Sequence, residues 1–182
     1  VKMRQLNLTI ENKKKAFFIE DNALGIELKD IAYEVEDNYS GYIALASINN
    51  KLYELTTTIN DNCCIKFLDT NNPDGLRVYS RTLTLVFIMA CEELYHNCKV
   101  SIEHSLSNGV YCEIYAERKL NEKDADLIKE KMQEIIDADY KIEKTILTKK
   151  EAIDFFNNLG MKNKAELLKY KEHDDIKIYK CN

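Results

Sequence analysis

Glycine and proline are scarce in this chain of 182 residues, at 5 and 1. That is little for an enzyme built on glycine-rich substrate loops. None of Gly25, Gly41, Gly75, Gly109 and Gly160 precedes a lysine, so the backbone cradle and lysine of a Walker-type phosphate loop are absent. No two of these glycines are close enough for a dinucleotide-binding GxGxxG. The three histidines, His96, His104 and His173, never stand three or four apart, so no helix presents a histidine pair to zinc. The cysteines are Cys63, Cys64, Cys91, Cys98, Cys112 and Cys181, none in a CxxC pair, which is the pattern of reduced thiols in a cytoplasmic protein. The longest uncharged apolar run, about Thr82 to Cys91, is far short of a membrane span. Nothing at the N-terminus resembles a signal peptide. A basic surplus is also missing. The net charge of -5 lowers the expectation of a protein that grips nucleic acid over its whole surface, and leaves room for a local basic face.

What is present reads as a packed α+β protein. Hydrophobic residues make up 45% and charged residues 31%, so a core is expected and disorder is not. Alternation over Arg4 to Ile10, a polar turn at Glu11-Asn12-Lys13 and the run Ala16 to Ile19 predict a hairpin, with Lys13-Lys14-Lys15 at its turn. Leu24, Leu28, Ile31, Ala32 and Val35 recur at helical spacing and predict a helix over Asp21 to Glu36. Extended segments follow at Tyr42 to Ile48, Lys51 to Thr58 and Cys64 to Leu68. The order is β-β-α-β-β-β, and the breaker cluster Asp69 to Gly75 marks a domain boundary.

Beyond it, Leu76 to Tyr95 predicts a long helix apolar on most sides. Lys99 to Glu103 and Val110 to Ala116 predict a second hairpin across Ser107-Asn108-Gly109, with Glu103-His104-Ser105 read as a turn. Asn121 with Asp124 opens a helix whose stripe is Ala125, Ile128, Met132, Ile135 and Ile136. Lys141 to Leu147 is a strand. Thr148 with Glu151 is a capping box, and Gly160 ends that helix. Asp175 to Lys180 predicts a last strand. His96, Cys98, His104 and Cys112 lack a metal-ligand spacing. Glu103, His104 and Ser105 offer a carboxylate, an imidazole and a hydroxyl side by side, but neighbours on a strand seldom face one another.

An ordered series runs over about Pro73 to Leu168: Asp74-Gly75-Leu76, Leu94-Tyr95, Ser107-Asn108-Gly109-Val110-Tyr111, Leu120 to Ile135 and Lys149-Lys150-Glu151-Ala152. By this series the second part resembles the editing-like, alanyl-type second additional domain of threonyl-tRNA synthetase. Residues 1–70 are similar to a TGS domain, the small ubiquitin-like β-grasp module. The resemblance thus implies a TGS-like domain at 1–70 and an editing-like α+β domain at 73–182, truncated at its C-terminal end. In the family the long helix carries His-x-x-x-His. Here Arg81 and Leu85 take those places. Leucine holds no proton, and arginine is too basic to act as a base. The family's Cys-x-x-x-His would fall beyond Asn182, and Glu103-His104 stand where a Gly-Pro pair is usual.

The same arrangement fronts uridine kinase-like nucleoside kinases of bacteria. Arg81 and the Glu103-His104-Ser105-Leu106 stretch resemble that family more closely. The expectation is therefore a non-catalytic binding or regulatory region ahead of a downstream kinase domain, which would use ATP and Mg. The alternatives are the tRNA-binding or editing region of a threonyl-tRNA synthetase and a free-standing TGS-type RNA- or ligand-binding protein. No catalytic residue, cofactor or metal ligand is expected within these residues. Arg77, Arg81, Glu103 and His104 are the candidate binding residues, tRNA or another RNA the candidate partner, and no membrane partner is expected.

Overall fold

The computed structural model describes residues 2–106 and 109–181. The chain is α+β and forms two compact units, Val1–Met89 and Ala90–Asn182.

In the first unit β1 (Met3–Ile10) and β2 (Lys13–Glu20) pair along their whole length. Glu11 and Asn12 join them with φ of 46° and 65°, the left-handed geometry of a two-residue hairpin turn. The turn is shorter than the sequence suggested, so Lys13, Lys14 and Lys15 belong to β2 and face Ile10, Thr9 and Leu8. The predicted helix over Asp21 to Glu36 shrinks to β3 (Ile26–Glu27), α1 (Leu28–Tyr33) and a 3-10 turn at Glu36–Asn38. Gly25 takes φ 142°, and a Cβ there would lie 2.3 Å from the Ile59 carbonyl oxygen. That conformation breaks the periodic run and leaves Leu24 89% exposed.

The chain continues through β4 (Ile43–Ile48), β5 (Lys51–Glu54), β6 (Thr58–Ile59) and β7 (Cys64–Asp69). Five strands form a mixed sheet in the order β2-β1-β7-β4-β5, in which β1 and β7 are parallel, while β3 pairs with β6. One face is the core: Leu8, Ile65 and Phe67 pack with Leu28 and Ile31 of α1. A short helix held against one side of such a sheet is the arrangement a β-grasp requires. At the end of β7, Gly75 lets the chain turn tightly into α2 (Pro73–Leu94). A Cβ on Gly75 would lie 2.0 Å from the Asp69 carbonyl oxygen. The expectation that α2 is buried on most sides needs correction. Ala90 and Cys91 are fully buried, whereas Leu76, Tyr79 and Leu83 remain exposed.

The second unit has β8 (Lys99–Leu106) and β9 (Gly109–Tyr115) as an antiparallel ribbon. Of the turn expected at Ser107-Asn108-Gly109, Ser107 and Asn108 lie outside the described residues. Glu103 and His104 stand on β8, not on a turn, because pairing runs on to Leu106. Next is α3 (Glu122–Asp137), opened by an Asn121–Asp124 capping box. Its stripe is narrower than predicted: Ile128 and Ile135 are buried, while Ala125 and Ile136 are exposed. β10 (Ile142–Thr148) pairs antiparallel with β11 (Asp175–Cys181). Between them, α4 (Lys149–Asn158) starts at the Thr148–Glu151 capping box, and α5 (Lys162–Lys169) follows Gly160 at φ 72°. Ala152, Leu168 and Ile176 form the small core of this part, with Leu147 and Phe156 against it.

Leu8 is 1% exposed at the centre of the sheet. Leu8→Ala should lower unfolding free energy by about 2–5 kcal/mol, measured by urea denaturation. Gly75→Ala should also destabilise, because the obstructing atom is backbone that cannot rotate away.

Candidate functional site

Arg77, Arg81 and Leu85 recur every four residues and so share one face of α2. Arg77 is exposed and pairs with Asp74 at 3.2 Å. Arg81 is exposed and makes no ion pair among the described residues, and Leu85 is half-buried. Two guanidinium groups can hold phosphate oxygens, but nothing on this face can take up and release a proton near neutral pH.

The second pair of candidates, Glu103 and His104, sits at an irregularity in the β8–β9 ribbon. Ile102 faces Cys112 and His104 faces Tyr111, so Glu103 is the extra residue of a bulge. The His104 and Tyr111 rings stack at 5.2 Å and 29°. Tyr111, Glu113 and Tyr115 alternate along β9 and so share a side. Tyr111 donates to Glu113 Oε1 at 3.1 Å, and Tyr115 donates to Glu113 Oε2. These bonds, that of Tyr115 foremost, hold the Glu113 carboxyl below its ordinary pKa, while the same carboxylate raises both phenols. Ser101 donates to Glu103. The hydrogen bond and the ring stack therefore tie Glu103 to Ser101 and His104 to Tyr111, not to one another. Both candidates are exposed. Their arrangement is an open polar and aromatic surface, suited to contact with a partner and without the enclosure that sharpens acid-base catalysis. His96 is exposed, Cys98 and Cys112 are half-buried, and no three metal-ligating groups converge among the described residues.

Arg77 and Arg81 lie in the first unit and Glu103 and His104 in the second. Two further features depend on residues that local sequence does not bring together. One is a groove of about 670 Å³ in the first unit, lined by Lys13, Lys15, Val35, Tyr39, Lys66 and Asn71 among others. Several of its polar groups are already engaged: Tyr39 donates to Glu11, Asn71 donates to Asp69, and Lys15 pairs with Glu34. No local motif announces it, because three separate chain segments line it.

The other is Asp124, 2% exposed. Its carboxylate accepts from Arg118 Nη1 at 2.9 Å, from the Asn121 backbone N–H at 2.8 Å and from the Tyr95 hydroxyl at 2.9 Å. The Arg118 guanidinium first, then the Asn121 amide, hold this carboxyl far below the usual aspartate range. The capping box was legible from local spacing, but Tyr95 is too distant in sequence to be paired with it. A depressed folded pKa stabilises the fold above the unfolded value of about 3.9 and ceases to do so as pH falls through the lower folded value. Asp124→Asn should therefore lower the thermal midpoint at neutral pH and flatten the acid limb of the stability curve below about pH 4. Thermal melts across that range test this.

No family model matches the chain. The chain is similar to threonine–tRNA ligases. It is 30% identical over 157 residues to that of Caldanaerobacter subterraneus subsp. tengcongensis, covering 86% of this chain and 24% of the ligase. It is 27% identical to that of Acetivibrio thermocellus and 24% to that of Ehrlichia canis, each over 86% of this chain and 25% of the ligase. The chain thus spans about a quarter of the length of these curated relatives. This homology supports the resemblance to the N-terminal, TGS and editing-like region of the synthetase. It favours the synthetase alternative over the uridine kinase expectation.

Proposed function

We propose that this chain is an RNA-contacting front region of a threonyl-tRNA synthetase-type protein, working in the cytoplasm, that binds tRNA without hydrolysing its ester. The observation that carries the reading is similarity to threonine–tRNA ligases over 86% of the chain, joined to an α2 face bearing Arg81 and Leu85 in place of imidazoles. In this reading residues 1–70 are the TGS-like part and the editing-like part begins at residue 73. The kinase reading, with a downstream domain using ATP and Mg, has no comparable support.

Arg77 and Arg81 of the first unit then meet the RNA backbone, and the exposed Glu103–His104 bulge of the second unit is a separate candidate contact. Binding is local and electrostatic, which suits a protein whose overall charge is -5.

Nitrocellulose retention of a threonine tRNA transcript is expected at low salt. The double variant Arg77→Ala, Arg81→Ala should weaken it and reduce the log-log salt slope by roughly 0.9 for each duplex phosphate no longer neutralised. Mischarged threonine tRNA should deacylate no faster with the protein than without it. A hydrolytic rate abolished by Glu103→Gln or His104→Ala would refute the non-catalytic part. Absence of retention at low salt would refute the RNA part.

A further inference from the structure

The five-stranded sheet of the first unit has a second face, opposite the one buried on α1; Leu45 and Leu68 on this side are buried, and the part toward β1 and β2 is open. Strand alternation and register define it. Lys14, Thr9 and Cys64 lie in one cross-strand row, and Lys66, Ser47 and Leu52 lie in the next. Ala16 faces Asn7, and Phe18 faces Gln5, further along the same side. Lys14, Asn7, Cys64 and Lys66 are exposed, Thr9 and Ser47 half-buried. Phe18 is 65% exposed, although its neighbours Phe17 and Ile19, on the core side, are buried. The carboxylates that strand alternation places on this side, Glu20 and Glu54, stand at its margin. Neither Lys14 nor Lys66 makes an ion pair among the described residues, unlike Lys15, which pairs with Glu34. Gln5 Nε2 donates to Asn7 Oδ1 at 2.7 Å.

We propose that this open sheet face is a binding surface for a single-stranded RNA segment. Lys14 and Lys66 take the phosphates, Phe18 stacks on a base, Asn7 and Thr9 supply short polar groups between them, and Ser47 supplies one beside Lys66. The charge argument is local. In a chain of net charge -5, the centre of this face carries two ammonium groups without an ion pair among the described residues, and no acid. The geometry suits an extended strand. Lys14 and Lys66 are two strand steps apart, roughly 10 Å across the sheet and about 7 Å along it. The positions between them, Thr9 and Cys64, lack a large side chain that would lift a backbone off the surface. An exposed aromatic on a sheet with flanking cations is the chemistry that binds unpaired bases, because every base has a stacking face and every linkage a charge. A duplex is a poorer occupant, since its bases are already stacked. This inference rests on the RNA-binding reading above and locates a binding surface separate from Arg77 and Arg81.

The test is fluorescence anisotropy with a labelled single-stranded RNA of about 12 nucleotides, within the site sizes typical of such surfaces, alongside the threonine tRNA transcript. Lys14→Glu with Lys66→Glu should weaken oligonucleotide binding and lower the log-log salt slope by about 1.4, at roughly 0.7 per single-strand phosphate neutralised. Phe18→Ala should weaken binding about 5-fold or more with the slope unchanged. The charge-matched control, Lys29→Glu with Lys162→Glu, places the same change on α1 and α5 and should keep the wild-type slope. All substituted side chains are exposed, and circular dichroism melts confirm folding. If both sheet variants match the control while the Arg77, Arg81 variant still fails to hold tRNA, the sheet-face proposal falls and the RNA reading stands. Lys14 then serves to discourage edge pairing at β2. If the wild type binds neither RNA at low salt, both readings fall.

Discussion

Burial of Leu28 and Ile31 against the five-stranded sheet is the constraint on which the first unit depends. Both side chains are fully buried, yet α1 is only six residues long. A helix that short has no stability of its own in water, since nucleation outweighs the few bonds it makes. The sheet holds it by covering its apolar side. In return, the helix decides which face of the sheet is core. Leu8, Ile10, Phe17, Ile65 and Phe67 must turn toward it, so Asn7, Thr9, Lys14, Phe18 and Lys66 turn away. A one-residue slip of register would exchange the two sets, which is why the pairing of β1 with β2 is tightly specified. The open face is thus a consequence of the core.

The second unit is held differently. Its β10–β11 ribbon and the α4–α5 pair share a small core around Ala152, Leu168 and Ile176. Elsewhere in the unit, the buried Asp124 carboxylate gathers Arg118, Asn121 and Tyr95 around the start of α3. A buried carboxylate is costly unless its charge and lone pairs are met, and here a guanidinium, an amide and a hydroxyl meet them. Such an arrangement does little chemistry. It positions the chain just after the β8–β9 ribbon, where the Glu103 bulge turns His104 to face Tyr111.

The functional reading rests on the similarity to threonine–tRNA ligases and on the side chains that α2 presents. The similarity to threonine–tRNA ligases extends over 86% of the chain, and α2 is a continuous helix from Pro73 to Leu94. On that helix, Arg81 and Leu85 offer charge and apolar surface but no exchangeable proton. Such a face can hold an anionic partner, and it offers no group for acid-base chemistry near neutral pH.

Elements whose signals are local were legible from sequence. The hairpin of β1 and β2, the Asn121 and Thr148 capping boxes, Gly160 and the long helix α2 all announce themselves within a few residues, because alternation, capping and left-handed glycine act over one turn or one strand pair. The α+β class followed from the same patterns, whereas the candidates Arg77, Arg81, Glu103 and His104 are expectations tied to the family resemblance. What depends on distant segments was not legible. The apolar spacing of Leu24 to Val35 suggests one helix, but Gly25 and the pairing of β3 with β6 divide it. The lysine run reads as part of a turn, but a two-residue turn draws it into β2. By itself, then, the sequence determined the elements whose signals are local and the residue types, Arg81 and Leu85, on one face of α2, which are properties of near neighbours. Tertiary structure alone decided which sheet face is buried, where Asp124 finds its partners and which lysines lie on the open face, because burial and pairing are set by residues far apart in the chain.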